Sequence, residues 1–207
     1  MIIIGLTGSV GMGKSETCKY FRKKNIDVFD CDKQVSFLYE KKEIKKQIKQ
    51  FFPSTFKKNK INKIELAQIV FNNKEKLKKL EKILHVNLSL KQKFWVRKKI
   101  GEKKKIVVFD VPLLFEKDNI KKYDFTIVVS CKKSIQKARV LKREGWNMAR
   151  LEKTINVQMS DKIKNKLADK VIRTDRGKRY LLQELLYIIN NIKIKKKRTT
   201  YKILKEF

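Results

Sequence analysis

The chain is short of several residue types, and each shortage closes off a class of protein. It has 3 cysteines, Cys18, Cys31 and Cys131, an odd number with no CxxC spacing. A disulfide framework or a zinc site is therefore not indicated, and reduced structural thiols are expected. With 2 prolines there is no Pro-rich linker, and no internal repeat is visible, so a string of modules is not indicated either. No uninterrupted apolar run approaches the roughly 20 residues that a membrane-spanning helix needs. The first residues do not form a signal peptide, because glycines and Lys14 interrupt any apolar stretch. These absences predict a cytoplasmic protein with no membrane partner.

Acidic residues are also scarce. Asp and Glu number 21 against 54 Lys and Arg, a formal net charge of +33. Such an excess can signal a nucleic-acid partner. The lysines are scattered along the whole chain, however, and keep company with abundant isoleucine and asparagine, as in a lysine-biased, AT-rich coding background. No specific nucleic-acid partner is expected. A positive surface would in either case steer anionic nucleotides toward the protein.

What is present is a globular sequence of 207 residues, 42% hydrophobic, with strand and helix patterns in alternation. Strands are predicted over Ile2–Leu6, Ile26–Phe29, Ile106–Val111, Phe125–Ser130 and Ala168–Arg173. Helices are predicted over Gly13–Lys24, Lys132–Glu144, Asn147–Gln158 and Lys178–Ile192, and mostly helical patterns over Lys33–Gln50 and Asn62–Ile100, split around Phe52-Pro53-Ser54. The alternation predicts an α/β fold with a parallel sheet covered by helices on both faces. The helical stretch between the second and third strands is too long for one crossover and reads as an inserted subdomain. Beyond Lys193 the chain is basic, and a loose helix or fraying end is expected.

Gly8-Ser9-Val10-Gly11-Met12-Gly13-Lys14-Ser15 fits G-x-x-x-x-G-K-[ST], with a strand before it and a helix after it. Glycines admit positive φ and close backbone approach. The loop's N–H groups and the helix N-terminus then form an anion cradle for a nucleotide's phosphates. Lys14 would reach the β- and γ-phosphates and the Ser15 hydroxyl a Mg²⁺ ion. Asp30-Cys31-Asp32 falls at the end of the second strand, where a carboxylate can take the proton of an attacking hydroxyl. Asp32 can equally cap the helix that follows. Asp110 ends the third strand and opens Asp110-Val111-Pro112-Leu113-Leu114-Phe115-Glu116, a position suited to holding Mg²⁺.

Taken in order, these pieces resemble the dephospho-CoA kinase family. The resemblance rests on GLTGSVGMGKS, Asp30-Cys31-Asp32, Leu84-His85-Val86, DVPLLFE from Asp110, Arg139 and Arg143 before Glu144-Gly145, Gln158-Met159-Ser160, Lys164 and Ala168-Asp169-Lys170-Val171-Ile172. It covers roughly the first 175 residues, and DVPLLFE together with the phosphate loop is its most specific part. It implies a P-loop kinase fold in one domain, with a core over 1–32, 101–142 and 161–192. A helical acceptor-binding insert would span 33–100, a mobile lid 143–160 and a basic tail 193–207. It also implies transfer of the γ-phosphoryl group of ATP to the ribose 3′-hydroxyl of dephospho-CoA, with Mg²⁺, by a monomer or weak homo-oligomer.

The resemblance implies roles residue by residue. Gly8, Ser9, Val10, Gly11, Met12, Gly13, Lys14, Ser15 and Glu16 would bind the nucleotide, mostly through backbone. Asp32, Lys14 and Arg143 would be catalytic, Asp32 acting on the acceptor hydroxyl and Arg143 on the phosphoryl charge, with Arg139 in support. Asp32, His85, Leu113, Leu114, Phe115 and Glu116 would meet the acceptor, and Ser15 and Asp110 would hold Mg²⁺. The chain departs from the family pattern at Val86 and Ser160, each in place of proline. It departs again at Thr154, where many members carry a lid arginine for which Arg150 or Lys153 could substitute. The loop Arg173–Gly177 also departs, and is expected near adenine.

Two rivals are weighed against this reading. Shikimate kinase and similar small-metabolite kinases share the loop and the D-x-D but typically carry glycines after the third strand, where this chain has the bulky Pro112-Leu113-Leu114-Phe115. A nucleic-acid-binding protein would account for the charge but not for DVPLLFE. A GTPase is not indicated, since no N-K-x-D motif is present.

Overall fold

The apolar run at the N-terminus becomes the middle strand of a five-stranded parallel sheet. A computed structural model of the chain describes residues 1–57, 60–116, 120–192, 203–205 and 207. It divides into two compact units, one built on residues 1–30 and from 99 onward, the other on residues 31–98 with Phe207.

In chain order the elements are β1 (Ile2–Thr7), α1 (Lys14–Lys23), β2 (Asp27–Asp30), α2 (Cys31–Leu38), α3 (Lys42–Phe51), β3 (Phe56–Lys57), β4 (Lys60–Ile61), α4 (Lys63–Phe71) and α5 (Lys74–Gly101). There follow β5 (Ile106–Asp110), β6 (Phe125–Ser130), α6 (Lys133–Leu141), α7 (Met148–Asn156), α8 (Asp161–Leu167), β7 (Lys170–Arg173) and α9 (Lys178–Asn191).

The sheet of the first unit runs β2-β5-β1-β6-β7, every pair parallel. The carboxyl ends of all its strands therefore lie along one edge. Registers of Leu6 with Asp110 and Asp30 with Asp110 set those residues side by side there. Ile4, Leu6, Val108, Ile127, Val129 and Ile172 are buried and pack with Phe21 of α1 and with Leu181, Leu185 and Ile188 of α9. Burial on both faces explains why these strands read as continuous apolar runs rather than alternating ones. On the other face Gly5 lets Leu114 and Tyr123 lie directly on β1, since a Cβ there would stand 2.5 Å from Leu114 Cδ1. Helix α1 stops one residue short of the predicted end, where Asn25 turns the chain at φ 56°.

The second unit holds its own core of Leu38, Ile44, Ile48, Phe52, Leu66, Val70, Leu80 and Leu84. The sequence pattern reads Lys33–Gln50 and Asn62–Ile100 as mostly helical, and each stretch holds two helices. The first breaks at Tyr39–Lys41, where the Glu40 and Lys41 amides close tight turns on Phe37 and Leu38. The second breaks at Asn72-Asn73, because Asn73 Oδ1 accepts from Lys76 N at 2.9 Å and starts a new helix. Asn62 caps α4 in the same way, accepting from Ile64 N and Glu65 N. The β3–β4 hairpin was not indicated by the sequence pattern.

Two further differences lie in the first unit. The last strand starts at Lys170 rather than Ala168. The unpredicted α8 precedes it, started by Ser160, whose hydroxyl accepts from Ile163 N at 3.4 Å. Most of the basic tail lies outside the described residues. Of its described residues, 203–205 are helical, Ile203 and Phe207 are buried, and within the second unit the Ser89 hydroxyl donates to the Phe207 main-chain oxygen. Among the described residues no helix is long and apolar enough to cross a membrane.

Candidate active site

Strand β1 ends at Thr7 and the chain turns through Gly8–Gly13 into α1. Gly11 and Gly13 hold φ of 78° and 96°, which L side chains rarely adopt. Crowding adds to that demand. A Cβ on Gly11 would meet Val140 Cγ2 at 2.6 Å, and one on Gly13 would meet Thr174 Oγ1 at 2.9 Å. The loop is thus wound tightly and braced from behind. Gln136 Nε2 donates to Val10 O at 2.8 Å, Thr174 Oγ1 donates to Met12 O at 2.8 Å, and Cys131 N donates to Met12 Sδ at 3.2 Å. The amides of α1's first turn have no partner within the helix and carry the positive end of its dipole. Ser15 is exposed there, while Glu16 pairs with Lys19 at 3.6 Å.

Lys14 and Asp110 are brought together by β1 and β5. Lys14 Nζ donates to Asp110 Oδ1 at 2.6 Å, and the Cys18 thiol donates to Asp110 Oδ2 at 3.4 Å. Burial first, and then the neighbouring Asp110 charge, push the Cys18 thiol up, so it stays protonated and is not a nucleophile. Among the described residues no three His, Cys, Asp or Glu side chains gather in a way that could hold a metal ion by themselves. A carboxylate at a strand end and an exposed hydroxyl at a helix start nevertheless fit Mg²⁺, which takes one or two protein oxygens and fills its shell with water and phosphate.

Beyond Asp110 the chain is held to the sheet by Val111 N on Leu6 O at 2.9 Å and by Thr7 Oγ1 on Pro112 O at 3.1 Å. Leu113 is half-buried, Phe115 is buried, and Leu114 is wholly buried against Gly5, supporting the turn from beneath. Glu116 Oε1 lies 2.9 Å from Lys164 Nζ and accepts from Met159 N at 3.0 Å. Lys164 Nζ also donates to Ser9 Oγ at 3.4 Å, and Ser9 Oγ donates to Asp161 Oδ1 at 2.6 Å.

The basic residues near this site differ in how they are tethered. Arg139 does not lie on a solvated helix face: its Nη1 donates to Thr174 Oγ1 at 2.8 Å and its Nη2 to Thr174 O at 2.9 Å. Arg143 is exposed just after α6. Arg150 donates to Gly145 O at 2.7 Å and stacks on Trp146, 4.6 Å from the ring centre. Thr154 spends its hydroxyl on Arg150 O at 2.8 Å, and Lys153 is exposed. Asp30 closes β2, whereas Asp32 and His85 belong to the second unit. Asp32 sits exposed in the first turn of α2, and His85 sits exposed on α5.

Sequence reasoning did not find the braces. Thr174 and Gln136 carry no motif, since threonine and glutamine at such positions look like ordinary loop and helix residues. Asp161 was equally silent, and Lys164 stood only as one letter of a pattern with nothing to mark it as buried.

A central strand that opens through a glycine loop onto a helix, with Lys14 at the helix start against Asp110 at the end of the next strand, defines a P-loop phosphotransferase of the nucleotide-dependent small-molecule kinase class. Comparisons narrow this class. A family model described as CoaE, dephospho-CoA kinase, matches residues 2–179, and the chain belongs to that family.

It is 39% identical over 192 residues to the dephospho-CoA kinase of Bartonella quintana (strain Toulouse), covering 93% of this chain and 98% of the relative. It is 38% identical over 179 residues to the dephospho-CoA kinase of Fusobacterium nucleatum, covering 84% of this chain and 90% of the relative. The crystal structure of TT1252 from Thermus thermophilus matches with a TM-score of 0.82 at 28% identity, over 91% of this chain and 96% of that one. A shikimate kinase from Bacteroides thetaiotaomicron matches at TM-score 0.51 and 12% identity, over 91% of this chain and 98% of that one, a likeness of fold alone.

Proposed function

We propose that this protein transfers the γ-phosphoryl group of ATP to the ribose 3′-hydroxyl of dephospho-CoA, giving ADP and coenzyme A. The observation that carries the reading is the path of Asp110–Glu116. Asp110 grips Lys14 beside the phosphate loop, and the apolar turn leaves the sheet from that point. A bulky turn there suits a large acceptor better than a small polar one.

In this reading Gly8, Ser9, Val10, Gly11, Met12, Gly13 and Glu16 surround the nucleotide phosphates with backbone N–H groups. Lys14 leaves Asp110 for the phosphoryl oxygens and neutralises charge as it builds. Mg²⁺ would be held by Ser15 and Asp110, and when bound it neutralises charge between the β- and γ-phosphates. Asp32 accepts a hydrogen bond from the 3′-hydroxyl, orients it for in-line attack and takes its proton. His85, Leu113, Leu114, Phe115 and Glu116 make or support the acceptor pocket, with the helical unit as the acceptor-binding insert. Segment 143–160 acts as a lid that brings Arg143 to the transferring group and excludes water. The enzyme works in the cytoplasm as a monomer or weak homo-oligomer.

The test is a coupled ADP-release assay with Mg·ATP and dephospho-CoA, shikimate, gluconate or no acceptor, with the product identified by mass. ADP and coenzyme A forming only with dephospho-CoA is the expected result. Turnover of another acceptor, with none of dephospho-CoA, would replace the substrate and keep the kinase.

A further inference from the structure

One side chain joins the two ends of the site without belonging to either. Lys164 is wholly buried, an unusual place for an ammonium group. An apolar residue of the same length would fill that space without the desolvation penalty, so a buried charge is better explained by what it holds than by added stability. Lys164 holds two things. Its Nζ lies 2.9 Å from Glu116 Oε1, at the end of the turn after β5, and 3.4 Å from Ser9 Oγ, inside the phosphate loop.

The surrounding contacts give this link direction. Ser9 receives from Lys164 and donates to Asp161 Oδ1 at 2.6 Å, so two residues one turn apart on α8 fix its hydroxyl. Glu116 Oε1 also takes the Met159 amide at 3.0 Å, which ties the chain just ahead of α8 to the same carboxylate. Charge-assisted hydrogen bonds of this kind are short and directional, and a buried network transmits a shift in one member to the rest.

We infer that Lys164 is a positioning residue that sets the phosphate loop and the Pro112–Glu116 turn against one another through a single buried charge. The donor side of the site is thereby tuned by the state of the acceptor side. The inference rests on the proposed phosphoryl transfer for its catalytic meaning, but its physical content concerns nucleotide affinity alone.

The test uses full-length protein and ADP with Mg²⁺ as the probe, measured by calorimetry with no acceptor present. Glu116 is not part of the phosphate loop, so its effect on ADP binding reads the link. Glu116→Gln is expected to weaken ADP binding by about 3- to 10-fold, a coupling of the size seen between residues in one network. In a Lys164→Met background the same change should alter binding by less than about twofold, because the link is already gone. ADP affinity unchanged in Glu116→Gln, or weakened equally with and without Lys164, would overturn the inference, as would a lowered melting temperature with no change in affinity.

Should Lys164→Met fail to fold, Ser9→Ala and Glu116→Gln form a cycle with Lys164 intact. Losses smaller than additive support the link, and additive losses overturn it. Wild-type turnover of dephospho-CoA is followed in parallel. Its absence would overturn the proposed acceptor and leave the ADP measurements to decide the coupling.

Discussion

Replacing Thr174 by valine removes one hydroxyl and keeps the shape of the side chain, so it weighs the brace behind the phosphate loop directly. Thr174 is 7% exposed. Its hydroxyl donates to Met12 O at 2.8 Å and accepts from Arg139 Nη1 at 2.8 Å. Each bond is worth about 1 kcal/mol net, and the charged one somewhat more. Arg139 is half-buried, and its Nη2 keeps Thr174 O. Ser130 O keeps the Thr174 amide at 2.8 Å, so it is not stranded. The Met12 carbonyl is stranded, at about 1–3 kcal/mol. The sum is about 2–4 kcal/mol. In a protein of this size about 1 kcal/mol moves the melting midpoint by roughly 2–4 °C, so a fall of roughly 4–16 °C is expected. Scanning calorimetry on wild type, Thr174→Val and Thr174→Ser measures it. The serine variant keeps the hydroxyl and loses one methyl, about 1 kcal/mol, and should melt above the valine variant. A serine variant that melts below the valine variant would refute the reasoning, because packing rather than hydrogen bonding would then be what holds the loop.

Asp32→Asn should bind ATP normally and lose most turnover, and near-normal kcat in steady-state assays would remove Asp32 from the role of base. Gly5→Ala puts a methyl 2.5 Å from Leu114 Cδ1 and 2.9 Å from the Tyr123 ring. It should destabilise the protein by about 1–3 kcal/mol in urea titration, and an unchanged denaturation midpoint would show that the turn can retreat freely. The Arg173 guanidinium 2.8 Å from Asp175, with help from the Lys132 amide, holds that carboxyl well below the usual carboxylate range. A lowered native pKa contributes stability that is full above the unfolded value of about 4 and fades as pH falls below it. Melting midpoints should therefore drop as pH falls from about 5 to about 3, with a shallower drop in Asp175→Asn; an equal drop in that variant would assign the acid sensitivity elsewhere.

The sheet was legible because both faces of its strands are buried. Ile2-Ile3-Ile4 and Val107-Val108-Phe109 have no polar side to display, so they appear as plain apolar runs. The phosphate loop was legible because two positive-φ turns against packed neighbours leave little choice but glycine. Helix breaks were not, because Asn73 works through a side-chain cap that ordinary helical polar residues also carry the means to make. The braces around the site were hidden for a related reason. Lys164 stands in Lys162-Ile163-Lys164-Asn165-Lys166, and only the folded chain shows which lysine turns inward. Arg139 and Thr174 come together across 35 residues of sequence, a separation that no local pattern records.

The central place of β1 has a consequence for how the protein comes into being. The phosphate loop is made well before the strands that flank β1: β5 and β6 follow about a hundred residues later, and Thr174 closes on Met12 across 162 residues. Contacts this distant are slow to form, because a long loop must close before any of them is rewarded. On the ribosome, at about 5–20 residues per second, the glycine loop waits roughly 8–32 s for its last brace to emerge. Residues 31–98 contain nearly all of their own core and can settle during that interval. The stretch that supplies nearly all of the helical unit's core is thus complete well before the phosphate loop meets its last brace.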